Sequence, residues 1–190
     1  MTTNVASDHP DVIWLAEAFT RPAMEHTLAQ VGFQQSYTYY AWRHGRAEPE
    51  EYCRELAGPA AAYMNPSCWS TTHGILTPFV QHGGPTAWRM RAALAATLVP
   101  AHGIYAGYEL VEHLPRPGVE EQIDDEKYQY KDRGWQAHEP GAPEAGQSLA
   151  PHLTKLNEVR RAHPALHCCA TCASTPPMTA DSRCSPKRVG

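Results

Sequence analysis

Short apolar runs alternate with longer amphipathic stretches along this chain, and that alternation restricts its fold more than any other feature. Apolar or aromatic runs occupy residues 12–16, 35–42, 68–71 and 103–108. Runs of this length are typical of strands, and a continuous apolar run is typical of a strand covered on both faces. Helically spaced apolar residues follow the runs, as in βα units on a parallel sheet. We therefore predict an α/β fold with four βα units.

The predicted helices have apolar residues on one face and are bounded by glycine or proline. They cover residues 22–32, 49–60, 85–98 and 149–159. The first has a proline in its first turn, where the missing N–H costs nothing. A long charged loop, 109–146, separates the fourth predicted strand from the last predicted helix.

Four βα units are compatible with two architectures. One is a four-strand doubly wound domain. The other is half of an eight-unit barrel, which leaves two open sheet edges that folded proteins rarely tolerate. Periodicity alone favours neither of them.

Composition and charge exclude several classes of partner. The 190 residues carry a formal net charge of -4 and have a pI of about 6.2, which argues against a nucleic acid or an anionic membrane. No run of roughly 18 apolar residues is present, so we predict no transmembrane helix. Residues 1–9 lack an apolar segment, so we predict no signal peptide and expect a cytoplasmic protein.

Six blocks of the sequence resemble, in the same order, motifs of one enzyme family. They are 15–24 (LAEAFTRPAM), 32–39 (GFQQSYTY), 81–85 (QHGGP), 107–110 (GYEL), 126–129 (EKYQ) and 156–166 (LNEVRRAHPAL). The family is that of the α-1,4-glucan:maltose-1-phosphate maltosyltransferases, in glycoside hydrolase family 13. Each block alone is a weak signal, but the ordered set over about residues 10–166 is specific.

The resemblance implies a partial (β/α)8 TIM barrel, in which residues 1–166 supply strands five to eight with their helices. It implies transfer of maltose from α-maltose 1-phosphate to the non-reducing end of α-1,4-glucans, with retention of configuration and release of phosphate. The implied partners are these two substrates, and the resemblance suggests a homodimer for the intact enzyme. The family chemistry needs no cofactor, and we expect neither a cofactor nor a metal ion.

Glu17 is the candidate general acid/base. Retaining glycosyl transfer uses two carboxyl groups, of which one attacks the anomeric carbon and the other protonates the leaving group. Glu17 stands where the first apolar run ends, and barrel enzymes hold their catalytic groups at the carboxyl ends of strands. Its match in the family motif assigns it the acid/base role. Trp14 and Phe19 would provide a partly apolar surrounding that favours the protonated form. Without the resemblance, a carboxylate that merely caps a strand end would be the better interpretation.

The other two catalytic carboxylates of the family have no counterpart in this chain. The nucleophile should be an aspartate at the end of the preceding strand, but Asp8 and Asp11 belong to the approach to the first strand. The family also has an aspartate directly before an Ile-Leu pair, and here Gly74 precedes Ile75 and Leu76. We assign no catalytic role to His73, because an imidazolium would repel the positive charge that develops in the transition state.

Lys127 and Tyr128 match the pair that holds the donor phosphate in the family. An ammonium group and a phenol are suited to gripping phosphate. On residues alone, a solvated lysine in an acidic loop would be the better interpretation. Other family 13 enzymes, such as α-amylases and trehalose synthases, have no donor phosphate to hold, so this pair favours the maltosyltransferases. Tyr37, Tyr39 and Trp42 offer faces for sugar stacking, although aromatic residues of strands more often belong to a core.

Cysteines are concentrated beyond residue 166, where the family pattern stops. A zinc site is one interpretation of His163, His167 and the nearby cysteines, but the spacing matches no paired Cys-x-x-Cys arrangement. The family continues here with Leu-Arg-Asn-Leu-Arg. A one-base shift of GC-rich codons for that stretch gives Cys-Ala-Thr-Cys-Ala, the sequence of residues 169–173. We therefore predict an out-of-frame tail at 167–190, and its Pro- and Ser-rich composition predicts disorder.

Two functional hypotheses remain open from the sequence. The first is a maltosyltransferase, with another family 13 enzyme as the alternative within the same class. The second is a truncated product that is inert or only binds sugar. Because two catalytic carboxylates are missing, we expect the isolated chain to be inactive.

Overall fold

A computed structural model describes residues 7–19, 21–45, 47–123 and 130–167. These residues form an α/β fold around a four-stranded sheet. All three strand pairings are parallel. The predicted α/β class with strands on a parallel sheet is therefore confirmed.

The elements follow the alternation that the sequence predicts. The strands are β1 (Leu15–Ala16), β2 (Gln35–Tyr37), β3 (Pro66–Trp69) and β4 (Ala101–Gly103). The α-helices are α1 (Pro22–Gln30), α2 (Ala47–Ala57), α3 (Pro78–His82), α4 (Gly84–Leu98) and α5 (Ala150–Ala162). Short 3₁₀ turns lie at Tyr39–Trp42, Pro59–Ala62, Tyr108–Leu110, Trp135–His138, Ala145–Gln147 and Pro164–His167.

The strands are arranged in chain order, β1-β2-β3-β4, so each strand pairs with the next one along the sequence. Leu15 is opposite Gln35, Tyr37 is opposite Ser67, and Trp69 is opposite Gly103. Opposite residues of paired strands share a face of the sheet. The register therefore places Leu15, Tyr37, Trp69 and Gly103 on one face, and Cys68 on the other.

The first and second predicted strands, 12–16 and 35–42, are longer than the observed ones, and the fourth was predicted too late in the chain, at 103–108. The chain leaves β2 after Tyr37, because the Thr38 hydroxyl accepts a hydrogen bond from the Tyr40 N–H at 3.4 Å and starts a 3₁₀ turn. The fourth strand ends at Gly103, and Gly107 follows with a φ of 91°. Aromatic residues supplied the strand signal here, but most of them lie beyond the ends of the observed strands.

The predicted helices agree with the observed ones within a few residues. Helix α2 ends at Ala57, before the Gly58–Pro59 pair that interrupts it. Helix α3 was not predicted, since five residues are too few for a periodic pattern. In the described part of the chain, no helix has the length and apolar character needed to cross a membrane.

The first apolar run is less buried than its composition predicts. Ile13 is 70% exposed and Leu15 is 50% exposed, although Ala16 is buried. Leu15 and Cys68 lie on different faces of the sheet, and the face of Cys68 packs against the helices to form the core. The described helices therefore cover one face of the sheet and leave the apolar side chains of β1 partly open.

The main core lies between the sheet and the helices. It joins residues of α1, α2, β3 and α4, namely Ala29, Tyr52, Leu56, Cys68 and Ala95, with Tyr40, Ala60, Met64 and Val99 from the segments between them. A second apolar cluster surrounds the completely buried Trp88, whose indole N–H donates to the Val80 carbonyl at 2.9 Å. Burial of these side chains is the main stabilising contribution to the fold.

Arg91 is a buried cation that connects α4 to the exit of β2. Its guanidinium donates to the carbonyl of Arg43 at 2.7 Å and to the carbonyl of Tyr40. It also lies 3.7 Å from the centre of the Tyr40 ring, and the Tyr40 hydroxyl donates to the Arg91 carbonyl at 2.6 Å. Carbonyl oxygens and a ring face thus replace part of the water that a buried guanidinium loses, while the Arg91 Nε has no hydrogen-bond partner among the described residues.

We predict that Arg91→Ala lowers the free energy of unfolding by about 2–4 kcal/mol, because it removes the guanidinium donor to the Arg43 carbonyl and one of the two donors to the Tyr40 carbonyl. Arg89→Ala is the matched control, since Arg89 is exposed on the same helix. Urea denaturation followed by circular dichroism measures both. Equal stabilities of the two variants would contradict this role for Arg91.

Glu25 is a buried carboxyl group between α1 and α2. It is 6% exposed, and its Oε1 has no hydrogen-bond partner among the described residues. Burial raises the pKa of Glu25 from 4.5 to about 7; Arg43 opposes the shift, Glu55 adds to it, and His26 lowers the pKa slightly. The folded state therefore binds this proton more tightly than the unfolded chain does.

This shift predicts a specific pH dependence of stability. The contribution of Glu25 protonation to the free energy of unfolding is fully present below pH 4.5, and it is lost as the pH rises through about 7. Glu25→Gln should therefore reduce the loss of thermal stability between pH 5 and pH 8. Thermal melts at both pH values test this, with the exposed Glu51→Gln as control. If Glu25→Gln loses as much thermal stability between pH 5 and pH 8 as the wild type does, the prediction is refuted.

Candidate active site

A cleft lies at the carboxyl ends of the four strands. It has a volume of about 190 Å³ and is lined by Glu17, Phe19, Tyr37, Thr38, Trp69, Thr72, His73, Ile75 and Tyr105. Parallel strands place their carboxyl ends at one edge of the sheet, which is where α/β folds hold ligands. Complete pockets for small molecules usually enclose roughly 300–1,000 Å³. The described residues thus form a small, open cleft with one carboxylate.

Glu17 directly follows β1 and lines this cleft. Its side chain is exposed, so it is accessible to a ligand. Phe19 lines the cleft beside it, but Trp14 does not, so only one of the two apolar neighbours expected from the sequence takes part. The structure places Glu17 at the strand end where the sequence predicts an acid/base.

Tyr37, the last residue of β2, lines the cleft together with Glu17. Burial raises the pKa of the Tyr37 phenol, and the negative charge of Glu17 raises it further. The Tyr37 ring packs against that of Trp69 with centroids 5.5 Å apart and planes at 60°. Tyr37 therefore belongs to the cleft as well as to the sheet.

Trp69 is held over β4 by the absence of a side chain at Gly103. A Cβ at that position would lie 2.1 Å from the indole ring, so only glycine permits the contact. The Trp69 indole N–H donates to the Ser67 hydroxyl at 3.1 Å. This packing fixes a flat aromatic surface on the floor of the cleft.

Gly74 lies in the tight turn that follows β3. Thr72 and Ile75 exchange backbone hydrogen bonds of 3.0 and 3.3 Å across this turn. A Cβ built on Gly74 would have no atom within 4 Å. The turn therefore has room for a side chain where the sequence analysis expects the third carboxylate of the family. His73, beside Gly74, lines the cleft with its ring 6.3 Å from that of Tyr105.

The segment after β4 contributes the far wall. Tyr105 lines the cleft, and the Arg133 guanidinium lies 5.9 Å from its ring centre. Glu112 pairs with both Arg133 and Lys131 at 3.2 Å. The predicted phosphate ligands Lys127 and Tyr128 lie outside the described residues.

The sequence pointed to Glu17, Phe19 and Tyr37, all of which line the cleft, but not to several other lining residues. Trp69, Thr72 and Tyr105 each lie at or just after the end of a strand, and that position was the available signal. Tyr39 and Trp42, considered for sugar stacking, pack behind Phe19 instead. In the part of the chain that the structure describes, no three His, Cys, Asp or Glu side chains are placed to hold a metal ion. The cysteines from Cys168 onward lie outside that part.

Comparison with curated proteins shows which sequences this chain is similar to. The chain is 57% identical over 159 residues to the α-1,4-glucan:maltose-1-phosphate maltosyltransferase 2 of Streptomyces coelicolor. It is 51% identical over 159 residues to the maltosyltransferase of Arcanobacterium haemolyticum, and 46% identical over 167 residues to that of Mycolicibacterium smegmatis. The chain is homologous to one segment of these maltosyltransferases.

The coverage of these matches is unequal. They include 83%, 84% and 87% of this chain, but only 23%, 22% and 23% of the respective relatives. The chain thus spans about a quarter of the length of the curated maltosyltransferases it matches. No protein-family model matches the chain. The resemblance stated from the six blocks is confirmed, and it applies to this segment.

The proximity of Glu17 and Tyr37 gives a direct test of the cleft. Glu17→Gln removes a nearby negative charge, so the pKa of the Tyr37 phenol should fall toward its ordinary value. Titration of the Tyr37 ring carbon by NMR measures this, with Tyr37→Phe providing the assignment. Glu50→Gln, on the exposed surface of α2, should have no effect. An unchanged Tyr37 titration in Glu17→Gln would show that the two side chains do not share the cleft.

Proposed function

We propose that this chain is the acid/base-bearing segment of a glucan-elongating maltosyltransferase. The observation that carries the proposal is the placement of Glu17 in a cleft at the strand ends, in a chain 57% identical to a named maltosyltransferase segment. The complete protein transfers maltose from α-maltose 1-phosphate to the non-reducing end of an α-1,4-glucan, as in glycogen-type polymers, and releases phosphate. It works in the cytoplasm as a homodimer and without a cofactor.

The proposed fold is part of a (β/α)8 barrel. Residues 1–166 supply strands five to eight of that barrel. The parallel strands of the sheet, which follow one another in chain order, support this proposal. Residues 167–190 form the proposed out-of-frame tail. Of these, only His167 is among the described residues, where it ends the last 3₁₀ turn.

The proposed mechanism assigns Glu17 two proton transfers. An aspartate on another segment attacks the anomeric carbon and forms a glycosyl-enzyme, while the Glu17 carboxyl protonates the departing phosphate oxygen. The Glu17 carboxylate then removes the proton from the acceptor hydroxyl, and that oxygen displaces the aspartate. The two inversions give net retention. Lys127 and Tyr128 hold the donor phosphate in this scheme.

The isolated chain is proposed to lack turnover. It carries Glu17, but Gly74 stands where the family has its third carboxylate, and no residue matches the nucleophile. Binding of sugar without turnover is the alternative function, and the aromatic floor formed by Tyr37 and Trp69 favours it. Sugars stack on such faces through their apolar C–H groups.

A segment exchange tests the proposal. We predict that a chimera with this segment in the Streptomyces coelicolor relative releases phosphate from maltose 1-phosphate only weakly, and that Gly74→Asp raises the rate. Glu17→Gln in the Gly74→Asp chimera should lower kcat about 10²–10⁴-fold, which is the usual contribution of a general acid/base. Phosphate release measures all three.

Two controls make the exchange decisive. Glu50→Gln, remote from the cleft, should leave phosphate release unchanged. A chimera whose phosphate release does not depend on Glu17 would refute the assignment. Release of free maltose or glucose without use of a phosphorylated donor would favour another family 13 reaction instead.

A further inference from the structure

A hairpin at residues 114–123 packs against the cleft. Its two arms are joined by hydrogen bonds from the Arg116 N–H to the Glu121 carbonyl at 2.9 Å and from the Ile123 N–H to the Leu114 carbonyl at 3.0 Å. We refer to it as the 114–123 hairpin. Its backbone is fixed to the loop after β3, because the Gln122 N–H donates to the His73 carbonyl at 3.1 Å. The Leu76 N–H donates to the Glu120 carbonyl at 2.6 Å.

The Glu120 side chain makes a separate contact that the hairpin's own structure does not need. Its carboxylate Oε2 accepts a hydrogen bond from the Trp42 indole N–H at 3.0 Å. Trp42 is only half-buried, so this bond, together with ring packing, determines the orientation of its indole.

Trp42 in turn supports Phe19. The Phe19 ring meets the Trp42 ring edge to face, with centroids 5.6 Å apart, and meets the Tyr39 ring at 5.7 Å. Tyr39 and Trp42 are themselves 5.6 Å apart. Phe19 lines the cleft two residues after Glu17 and is 37% exposed. A chain of contacts therefore runs from the Glu120 carboxylate through Trp42 to the wall beside Glu17.

We propose that Glu120 is a positioning residue: by holding the Trp42 indole, it fixes Phe19 as the aromatic wall against which a glucosyl ring packs beside Glu17. This inference rests on the proposed function, because it names sugar as the ligand of that wall. Glu120 acts through its hydrogen-bond acceptor oxygen and not through its charge. The backbone bonds of the hairpin are independent of its side chain.

Three single variants separate the side-chain bond from other effects. Glu120→Ala removes the acceptor, Glu120→Gln keeps a carbonyl oxygen in its place, and Glu121→Ala breaks only the neighbouring ion pair with Arg116, at 2.8 Å. Maltose is the probe, titrated into the purified chain and followed by NMR. Glu120→Ala should weaken maltose binding roughly three- to tenfold. Glu120→Gln and Glu121→Ala should bind like the wild type.

A double-mutant cycle tests the route through Trp42. Trp42→Phe removes the indole donor and keeps an aromatic ring, so it should weaken maltose binding as Glu120→Ala does. Adding Glu120→Ala to Trp42→Phe should then cause no further loss. The proposal would be overturned if the double variant lost maltose affinity by the product of the two single losses. It would also be overturned if Glu120→Ala bound maltose as tightly as the wild type. A Glu120→Gln variant as weak as Glu120→Ala would also overturn it, because the role would then be electrostatic.

Failure of the proposed function gives a different result. If the wild-type chain binds no maltose, the sugar assignment fails, and the Trp42 indole N–H signal and the nuclear Overhauser contacts between Trp42 and Phe19 decide the positioning role. Loss of both in Glu120→Ala, with retention in Glu120→Gln and Glu121→Ala, would support it. Unchanged signals in Glu120→Ala would overturn it.

Discussion

The contact between Arg91 and Tyr40 determines where the chain goes after β2, and the cleft depends on that path. The Arg91 guanidinium donates to the Tyr40 carbonyl and lies over the Tyr40 ring, while the Tyr40 hydroxyl donates back to Arg91. These reciprocal bonds hold the 3₁₀ turn at Tyr39–Trp42 against α4. The turn orients Thr38 and Tyr37 toward the cleft and places Trp42 behind Phe19.

Among the described residues, no carboxylate pairs with the buried Arg91 guanidinium that fixes this turn. Desolvation of Arg91 disfavours its charge and lowers the pKa of the guanidinium. Backbone carbonyls compensate because they are fixed in position and point at one donor. Such an arrangement also has strict geometric requirements, so it specifies one path for the backbone.

The sequence predicted the order of elements well, because each βα unit has its own local signal. It predicted strand lengths poorly. The aromatic stretch after Tyr37 has high β propensity, but it forms a 3₁₀ turn, in which the Thr38 hydroxyl accepts from the Tyr40 N–H and the distant Arg91 donates to the Tyr40 carbonyl. Interactions between residues about 50 positions apart, such as Arg91 with Tyr40, cannot be read from local periodicity.

The candidate site was predictable in part for the same reason. Glu17 could be found because it follows an apolar run and matches a motif. Much of the remaining lining comes from strand ends and loops that only the fold brings together: Trp69 ends β3, His73 follows it, and Tyr105 follows β4. The register that brings Trp69 onto Gly103 was not visible in the sequence, although the glycine itself was.

The open space at Gly74 has a genetic consequence. Every glycine codon becomes an aspartate or a glutamate codon when its middle base changes from G to A. A single point mutation therefore introduces an acidic side chain at a turn with no atom within 4 Å of the new Cβ. Gain of an acid at this position thus requires one base change and displaces no neighbouring atom of the described residues.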